Sequence, residues 1–259
     1  MSRAAHARLL LQRVASSYAP AALSSSLGAE DMVLTDLIAR EGLPIEIFTL
    51  DTGRLHAETL ELAGRVQSHY GIALRVMQPD AAAVADYVAR NGRNAFYGSV
   101  ELRKRCCEIR KLEPLKRALA GKRAWITGLR RDQSAARAEL RLAEFDTALH
   151  IAKFNPIADW TGNDVWDHIR ANKVPTNPLH DRGYPSIGCE PCTRAVEPGA
   201  DERSGRWWWE EEGKKECGLH VAISPSGAGL AFQRDLRFLG AEIHGAQKPE
   251  TMEDRKAQS

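Results

Sequence analysis

Short apolar runs that alternate with longer segments of helical periodicity constrain the fold of this chain more than any other feature. Three runs have the length and composition of buried strands: IEIFTL (45–50), IALRVM (72–77) and AWITG (124–128). Helix-like spacing covers the segments 30–41, 56–70, 80–91, 99–120 and 161–172. Strands separated by helices predict an α/β fold with a parallel twisted sheet and helices on both faces, in which ligands bind at the carboxyl ends of the strands.

The composition and periodicity of the sequence change after the last of these helices. From 173 to about 220 the chain is rich in Pro, Gly, Cys and Arg, has three consecutive tryptophans (207–209) and shows little periodicity. This is typical of an ordered functional loop region within the same domain, in which the tryptophans either pack the loop or stack on a base. We therefore predict one α/β domain over 1–220 and a C-terminal extension over 221–259, whose final dozen residues we expect to be mobile.

Charge, hydropathy and the N-terminal segment bear on compartment and partners. No apolar run approaches the length of a membrane span, and the net charge of +2 gives no overall field that demands nucleic acid. The first twenty residues have an apolar patch interrupted by Gln12 and Arg13, which favours an amphipathic docking helix, with a mitochondrial-type presequence as the alternative. We expect a cytoplasmic, reducing location, where cysteines serve metal or redox chemistry more often than structural disulfides.

Polar residues follow the predicted strands. SSSLGAED (24–31) leads into a helix and is typical of an anion cradle, although serines at helix starts are common in every role. DTGRLHAET (51–59) fits a nucleotide-contacting turn or a plain N-capping loop. After the third strand, Arg130, Arg131 and Arg137 favour phosphate or sulfate recognition, because guanidinium groups match tetrahedral oxyanions; a solvated basic turn is the alternative.

Four of the five cysteines form two close pairs. Cys106 and Cys107 are adjacent, while Cys189 and Cys192 form a C-x-x-C motif. A disulfide between neighbours strains the intervening peptide, so the adjacent pair serves as buried thiols or as ligands. One zinc ion would need both neighbouring sulfurs on a single centre, whereas an iron–sulfur cubane offers a separate iron to each thiolate. The spacing differs from the ferredoxin pattern, so the joining of the two pairs is a hypothesis.

The fifth cysteine, Cys217, has the surroundings of a nucleophile. Two lysines precede it and a glycine follows it, with His220 three residues on. Positive neighbours lower the pKa of a thiol and favour the thiolate, although Glu216 opposes this effect. Lys111 lies one helical turn after Cys107 and either holds positive charge beside the sulfur ligands or is an ordinary exposed lysine.

Taken together, these motifs resemble one family, the iron–sulfur assimilatory adenylyl-sulfate (APS) reductases, relatives of the 3′-phosphoadenylyl-sulfate (PAPS) reductases. The matching pieces occur in family order over roughly 20–220: SLGAEDMVLTDLI, LDTGRLHAET, RKRCCEIRK, GLRRDQS, FNPIADWT, GYPSIGCEPCTR, GRWWWEE and KKECGLH. The resemblance implies an ATP-pyrophosphatase-like, Rossmann-like α/β fold. It also implies thioredoxin-dependent reduction of APS to sulfite and AMP, in the assimilation of sulfate towards cysteine biosynthesis.

The same resemblance implies roles for individual residues. It implies a [4Fe-4S] cluster, with the ligands Cys106, Cys107, Cys189 and Cys192. It implies that Cys217 is the nucleophile on a mobile C-terminal segment and forms an S-sulfocysteine, with His220 beside the reacting group. The residues implied around the phosphosulfate are Lys111, Arg137, Arg203 and Arg206, and those near the nucleotide are Ser24, Ser26 and Leu50. The implied electron donor is reduced thioredoxin or a glutaredoxin-like dithiol.

Two departures from the family pattern leave alternatives open. The chain continues for 39 residues after His220, where relatives usually stop, and its first loop lacks the aromatic residue that relatives often carry. A PAPS-using or dual-specificity reductase is one alternative. A zinc-stabilised ATP-binding thiolation or adenylation protein is another, but it predicts a glycine-rich pyrophosphate loop and leaves Cys217 without a role. The oligomeric state stays open, a homo-oligomer included.

Overall fold

The computed structural model describes residues 2–134 and 137–210, which form a sheet covered by helices. The helices are α1 Arg3–Ser17, α2 Ala29–Arg40, α3 Ala57–Tyr70, α4 Ala81–Asn91, α5 Val100–Cys107, α6 Glu113–Leu119 and α7 Gly162–Asn172. The strands are β1 Ala21–Ser24, β2 Ile45–Leu50, β3 Leu74–Met77, β4 Ala124–Ile126, β5 Ala143–Asp146 and β6 Ile151–Phe154. Within the described residues, no helix is both long and apolar enough to cross a bilayer.

The sheet has the strand order β3-β2-β1-β4-β6-β5. Strands β1, β2, β3, β4 and β6 pair in parallel, and β5 pairs antiparallel to β6. The predicted parallel sheet is therefore confirmed except at this edge. The chain leaves β1 towards β2 on one side and returns to β4 on the other, so the crevice above β1 and β4 is where a sheet of this kind binds ligands.

Helices cover both faces of the sheet because alternate strand residues point to opposite sides. Ala21 and Leu23 of β1 join a core cluster with residues of α1, α2, α3 and α7. Ala22, between them, joins a second cluster with Trp125 of β4 and Leu115 of α6. The prediction of helices on both faces is confirmed.

The predicted helix over 99–120 is wrong in its continuity. Helix α5 ends at Cys107, a π-helical turn spans Glu108–Leu112, and α6 follows directly. A π turn inserts one extra residue into a helix and rotates the faces before and after it relative to each other. The strands β1, β5 and β6 are not among the three apolar runs from which strands were predicted. Beyond α7, the described chain has two short 3-10 turns, His180–Arg182 and Glu190–Cys192.

A buried carboxylate ties three helices together behind the sheet. Asp36 of α2 is fully buried and accepts hydrogen bonds from Arg40 Nε at 2.6 Å and from the Tyr70 hydroxyl at 3.0 Å. Nε2 of His168, on α7, lies 2.9 Å from the other carboxylate oxygen. Burial by itself would raise the pKa of Asp36, but these partners outweigh it and hold that pKa below its ordinary value.

Candidate functional site

A cavity of about 190 Å³ lies at the carboxyl ends of the central strands. Its lining includes the last residues of β1 and β2, Ser24 and Leu50. It also includes the residues that follow the strands: Ser25 and Ser26 after β1, Thr52 after β2, and Thr127 and Gly128 after β4. The opposite wall comes from the loop 185–188 and from Arg203, Arg206 and Trp207. The cavity therefore occupies the crevice predicted from the strand order. Among the residues that the sequence assigned to the nucleotide, Ser24, Ser26 and Leu50 all line it.

The serine loop after β1 is held by its own hydrogen bonds. The N–H and the hydroxyl of Ser26 both donate to Asp31 Oδ2, each at 2.6 Å. The N–H groups of Ser25, Leu27 and Gly28 donate to Phe48 O, Ser25 Oγ and Ser26 Oγ. These four N–H groups are already used within the protein, so they do not form the predicted anion cradle. Burial raises the pKa of Asp31 to about 6, although the hydrogen bonds from Ser26 act to lower it.

The positive charge of the cavity comes from Lys111, Arg203 and Arg206. Arg206 is 7 % exposed, and its Nη1 donates to Ser186 Oγ at 3.3 Å. Gly188 makes room for this guanidinium group, because a Cβ atom at residue 188 would lie 2.3 Å from Arg206 Nη2. The loop 185–188 and Arg206 therefore fit against each other only while residue 188 has no side chain.

Of the three arginines after β4, Arg130 and Arg131 make contacts other than the predicted one in the described structure. Arg130 is buried and forms ion pairs with Glu30 at 2.8 Å and Glu202 at 3.0 Å, which both line the cavity. Arg131 is exposed and donates to a backbone carbonyl. Arg137 donates to the side chain of Gln133, which lines the cavity, whereas Arg137 itself does not. Arg130 thus neutralises acidic groups at the cavity and is not a candidate for contact with an oxyanion.

Next to this cavity, the two cysteine pairs line one smaller pocket. It is formed by Cys106, Cys107, Cys189 and Cys192 together with Arg54, Phe96, Arg103, Arg110, Lys111 and Pro191. All four cysteines are free thiols. The C-x-x-C segment is held in place by an antiparallel bridge between Leu55 and Cys189 and by a hydrogen bond from the Tyr97 hydroxyl to Pro191 O at 2.7 Å. The structure therefore brings together the two pairs that the sequence could join only as a hypothesis.

Positively charged side chains surround the four sulfurs. Burial raises the pKa of the Cys106 thiol, against the positive charge of Arg110, which lowers it. Arg103 lines the same pocket as Cys107. Arg110 is anchored by donating to Thr52 O at 2.7 Å. Burial raises the pKa of the Cys192 thiol to about 12, so the bare Cys192 thiol is protonated at neutral pH and a bound metal would have to displace its proton.

Lys111 lines both pockets. It lies in the π turn that follows Cys107 and is half-buried, so the alternative of an ordinary exposed lysine is wrong. Sequence reasoning missed Arg54 and Arg110 as neighbours of the sulfurs. For Arg110 the signal was the density of basic residues around the adjacent cysteines, but the sequence does not say which of them turn inward. For Arg54, which is distant from both cysteine pairs in the chain, the sequence offered no signal.

Cys217 and His220, the predicted nucleophile and its neighbour, lie outside the described residues. The described chain ends at Glu210, whose carboxylate forms a buried ion pair with Arg103 at 2.7 Å. Arg103 belongs to α5, the helix that carries Cys106 and Cys107. The last described residue before the segment with Cys217 is thus fixed against the cysteine pocket.

Comparisons with known proteins agree with this geometry. The family model of the phosphoadenosine phosphosulfate reductase domain matches residues 20–195. The adenosine 5′-phosphosulfate reductase of Burkholderia cepacia is 58% identical over 217 residues, covering 83% of this chain and 87% of the relative. That of Allochromatium vinosum is 57% identical over 237 residues, covering 90% of this chain and 93% of the relative.

Solved structures show the same architecture. Phosphoadenylyl-sulfate reductase from Candida auris, in a phosphate complex, superposes with a TM-score of 0.63 at 25% identity, covering 73% of this chain and 90% of that one. Yeast FAD synthetase in complex with FAD superposes with a TM-score of 0.52 at 14% identity, covering 74% of this chain and 66% of that one. The second likeness concerns the fold alone, and it is to a nucleotide-binding α/β enzyme.

Proposed function

The chain belongs to the phosphoadenosine phosphosulfate reductase family, and from this membership we propose that it reduces adenylyl sulfate to sulfite and AMP in sulfate assimilation. The observation that carries the proposal is the convergence of two distant cysteine pairs on one pocket that shares Lys111 with the larger cavity. Relatives at 57% and 58% identity are named for this substrate. We further propose that the reaction runs in the cytoplasm, where the required thiols stay reduced.

The cavity supports an arrangement of the substrate in two parts. We infer that the nucleotide lies against Ser24, Ser26 and Leu50, and the phosphosulfate against Lys111, Arg203 and Arg206. The last three side chains carry the positive charge that a doubly anionic group needs. Arg137 stays a prediction as a phosphosulfate contact, with Gln133 between it and the cavity.

The chemistry that fits these residues is a nucleophilic displacement at sulfur. The Cys217 thiolate attacks the sulfonyl sulfur, the bond from sulfur to the bridging phosphate oxygen breaks, and AMP leaves with that electron pair. Lys111, Arg203 and Arg206 offset the substrate charge that repels a thiolate and stabilise the charge on the departing phosphate. His220 orients the thiol or binds the sulfonyl oxygens.

The second half of the reaction needs an external dithiol, reduced thioredoxin or a glutaredoxin-like protein. One of its thiolates attacks Cys217 Sγ and displaces sulfite, which leaves a mixed disulfide. The second thiol resolves this disulfide and regenerates the Cys217 thiolate. The two electrons that reduce the sulfur therefore come from the dithiol, which ends as a disulfide.

The four cysteines of the smaller pocket fit a [4Fe-4S] cluster better than zinc. One zinc ion would need the neighbouring sulfurs of Cys106 and Cys107 on a single centre, which is awkward for consecutive side chains. A cluster with one iron for each sulfur suits four thiols spread around a pocket with cationic walls. When bound, it would act as a structural and electrostatic centre. Arg103, Arg110 and Lys111 would balance its negative charge.

The decisive experiment is an intact-mass measurement on anoxically purified protein mixed with adenylyl sulfate and no reductant. We expect a sulfonate adduct that maps to Cys217 and disappears on addition of reduced thioredoxin, from protein that contains iron and sulfide. Protein with intact iron and sulfide but no adduct would contradict the proposal in favour of the PAPS substrate or another chemistry. Protein that contains zinc and forms no adduct would favour the thiolation or adenylation alternative.

Replacing Gly188 by alanine is expected to weaken AMP binding and to raise the KM for adenylyl sulfate by about 10- to 100-fold, the loss of one hydrogen-bonded charged contact. The new Cβ atom would overlap the Arg206 guanidinium group and push it off its place in the cavity wall. Titration calorimetry with AMP and steady-state kinetics measure the effect. Gly64→Ala is the matched control, because Gly64 is exposed on α3 with nothing within 4 Å of an added Cβ. Equal affinities in the two variants would contradict the assignment of Arg206.

A further inference from the structure

Trp207 lies in contact with two guanidinium groups. It is 1 % exposed, and Cζ of Arg103 and Cζ of Arg206 lie 4.7 Å and 4.8 Å from its ring centroid. Both distances are within the range of cation–π attraction, which is strongest when the partners are desolvated. The indole ring therefore contacts and stabilises two buried positive charges that would otherwise repel each other.

The backbone of Trp207 indicates that its position is imposed by its surroundings. Its φ of +43° lies in the left-handed region, which a bulky residue adopts at a cost of about 1–2 kcal/mol. Its N–H donates to Cys192 O at 3.1 Å, and the preceding residue, Arg206, forms an antiparallel bridge with Thr193. The strained residue is thus fastened to the C-x-x-C segment.

The two guanidinium groups reach into different pockets. Arg206 lines the larger cavity, whereas Arg103 lines the cysteine pocket next to Cys107. Arg103 also holds Glu210 with two hydrogen bonds, at 2.8 Å and 2.7 Å. A continuous set of contacts, from the cysteine pocket through Arg103 and Trp207 to Arg206, therefore joins the two pockets, separately from Lys111.

We propose that Trp207 is a positioning residue whose aromatic ring holds the Arg206 guanidinium in place at the larger cavity. Through Arg103, the same ring couples Arg206 to α5, the helix that carries Cys106 and Cys107. This proposal rests on the proposed function. It differs from a role in core packing alone, because packing needs only apolar volume at residue 207, whereas positioning needs a π face. Phenylalanine keeps the face, and leucine or methionine keeps only the volume.

The test compares Trp207→Phe with Trp207→Leu and Trp207→Met in anoxically purified protein of verified iron content. We expect the phenylalanine variant to bind AMP within about threefold of the natural protein, and the leucine and methionine variants to bind it about 10- to 30-fold more weakly. The KM for adenylyl sulfate is expected to rise in parallel with the weaker AMP binding. Methionine keeps the comparison usable if the smaller leucine prevents folding.

Trp160→Leu is the matched control. Trp160 is 3 % exposed in the main core and does not line the cavity, so the same substitution should lower stability but leave AMP affinity within about twofold of the natural protein. Loss of AMP affinity to the same degree in all three Trp207 variants, or in none of them, would overturn the proposal. The binding of AMP can be measured without turnover. If the natural protein bound AMP but did not react with adenylyl sulfate, the proposed function would be refuted, whereas the comparison of the Trp207 variants would still test the role of Trp207.

Discussion

Replacing Cys217 by serine should stop sulfite release, with turnover lower by roughly 10⁴-fold or more, because the loss of an enzymatic nucleophile has effects of this size. A serine hydroxyl is almost fully protonated at neutral pH and does not form the S-sulfonated intermediate or a disulfide with an external dithiol. The binding of AMP and the iron content should stay unchanged, because the exchange replaces one sulfur atom by oxygen and leaves the described lining of the cavity and of the cysteine pocket as it is. Sulfite assays, calorimetry with AMP and iron analysis measure the three quantities.

The contrasting variant is Cys192→Ser, which makes the same atomic change in the cysteine pocket. We expect it to lose iron and sulfide, because Cys192 is one of the four sulfurs around that pocket. A Cys217→Ser protein that still releases sulfite would contradict the nucleophile assignment. A Cys192→Ser protein with full iron content would contradict the ligand assignment. The pair therefore separates the two roles assigned to cysteine in this chain.

The apolar strands could be predicted from the sequence, and the polar strands could not. IEIFTL forms β2 over Ile45–Leu50, as four apolar residues out of six indicate for a strand that is mostly buried. Strand β6, Ile151–Phe154, is also buried but contains Lys153, which hides the pattern. Lys153 is accommodated by an ion pair with Glu144 at 2.8 Å and by the face of Trp125, at 5.2 Å. Such compensation of a buried charge depends on partner residues in other strands.

The candidate site shows the same division between local and long-range information. The cysteine pairs and the cavity serines are visible as motifs, because each lies within a few consecutive residues. Arg130 was assigned to oxyanion recognition because its partner Glu30 is 100 residues away in the chain. Arg103 was noted only as one of several basic residues near the adjacent cysteines and was given no role of its own, since its contacts with Trp207 and Glu210 arise only when the loop after α7 folds back onto α5. The π turn between α5 and α6 is likewise invisible in the apolar periodicity.

Replacing Asp36 by asparagine is expected to lower the free energy of unfolding by about 3 kcal/mol at neutral pH, the usual cost of disrupting a buried charged network. Asp36 is fully buried and accepts from Arg40 and Tyr70, with His168 beside its second oxygen. An amide keeps the shape but loses the charge and one acceptor. Unfolding of the protein in denaturant, monitored by circular dichroism, measures the change in the free energy of unfolding.

Asp86→Asn is the matched control, because Asp86 pairs with Arg90 at the same four-residue spacing on α4 but with both side chains exposed. That variant should change stability by less than about 0.5 kcal/mol.

The stabilisation by Asp36 should also depend on pH. Since the pKa of Asp36 in the folded protein is held below its ordinary value of 3.8, this stabilisation is complete above pH 3.8 and is lost as the pH falls through the folded pKa. The difference between the natural protein and Asp36→Asn should therefore narrow in acid. Two results would show that the charge of Asp36 does not stabilise the packing of the three helices. One is an equal loss of stability in Asp36→Asn and Asp86→Asn; the other is a stability difference between the natural protein and Asp36→Asn that stays the same in acid.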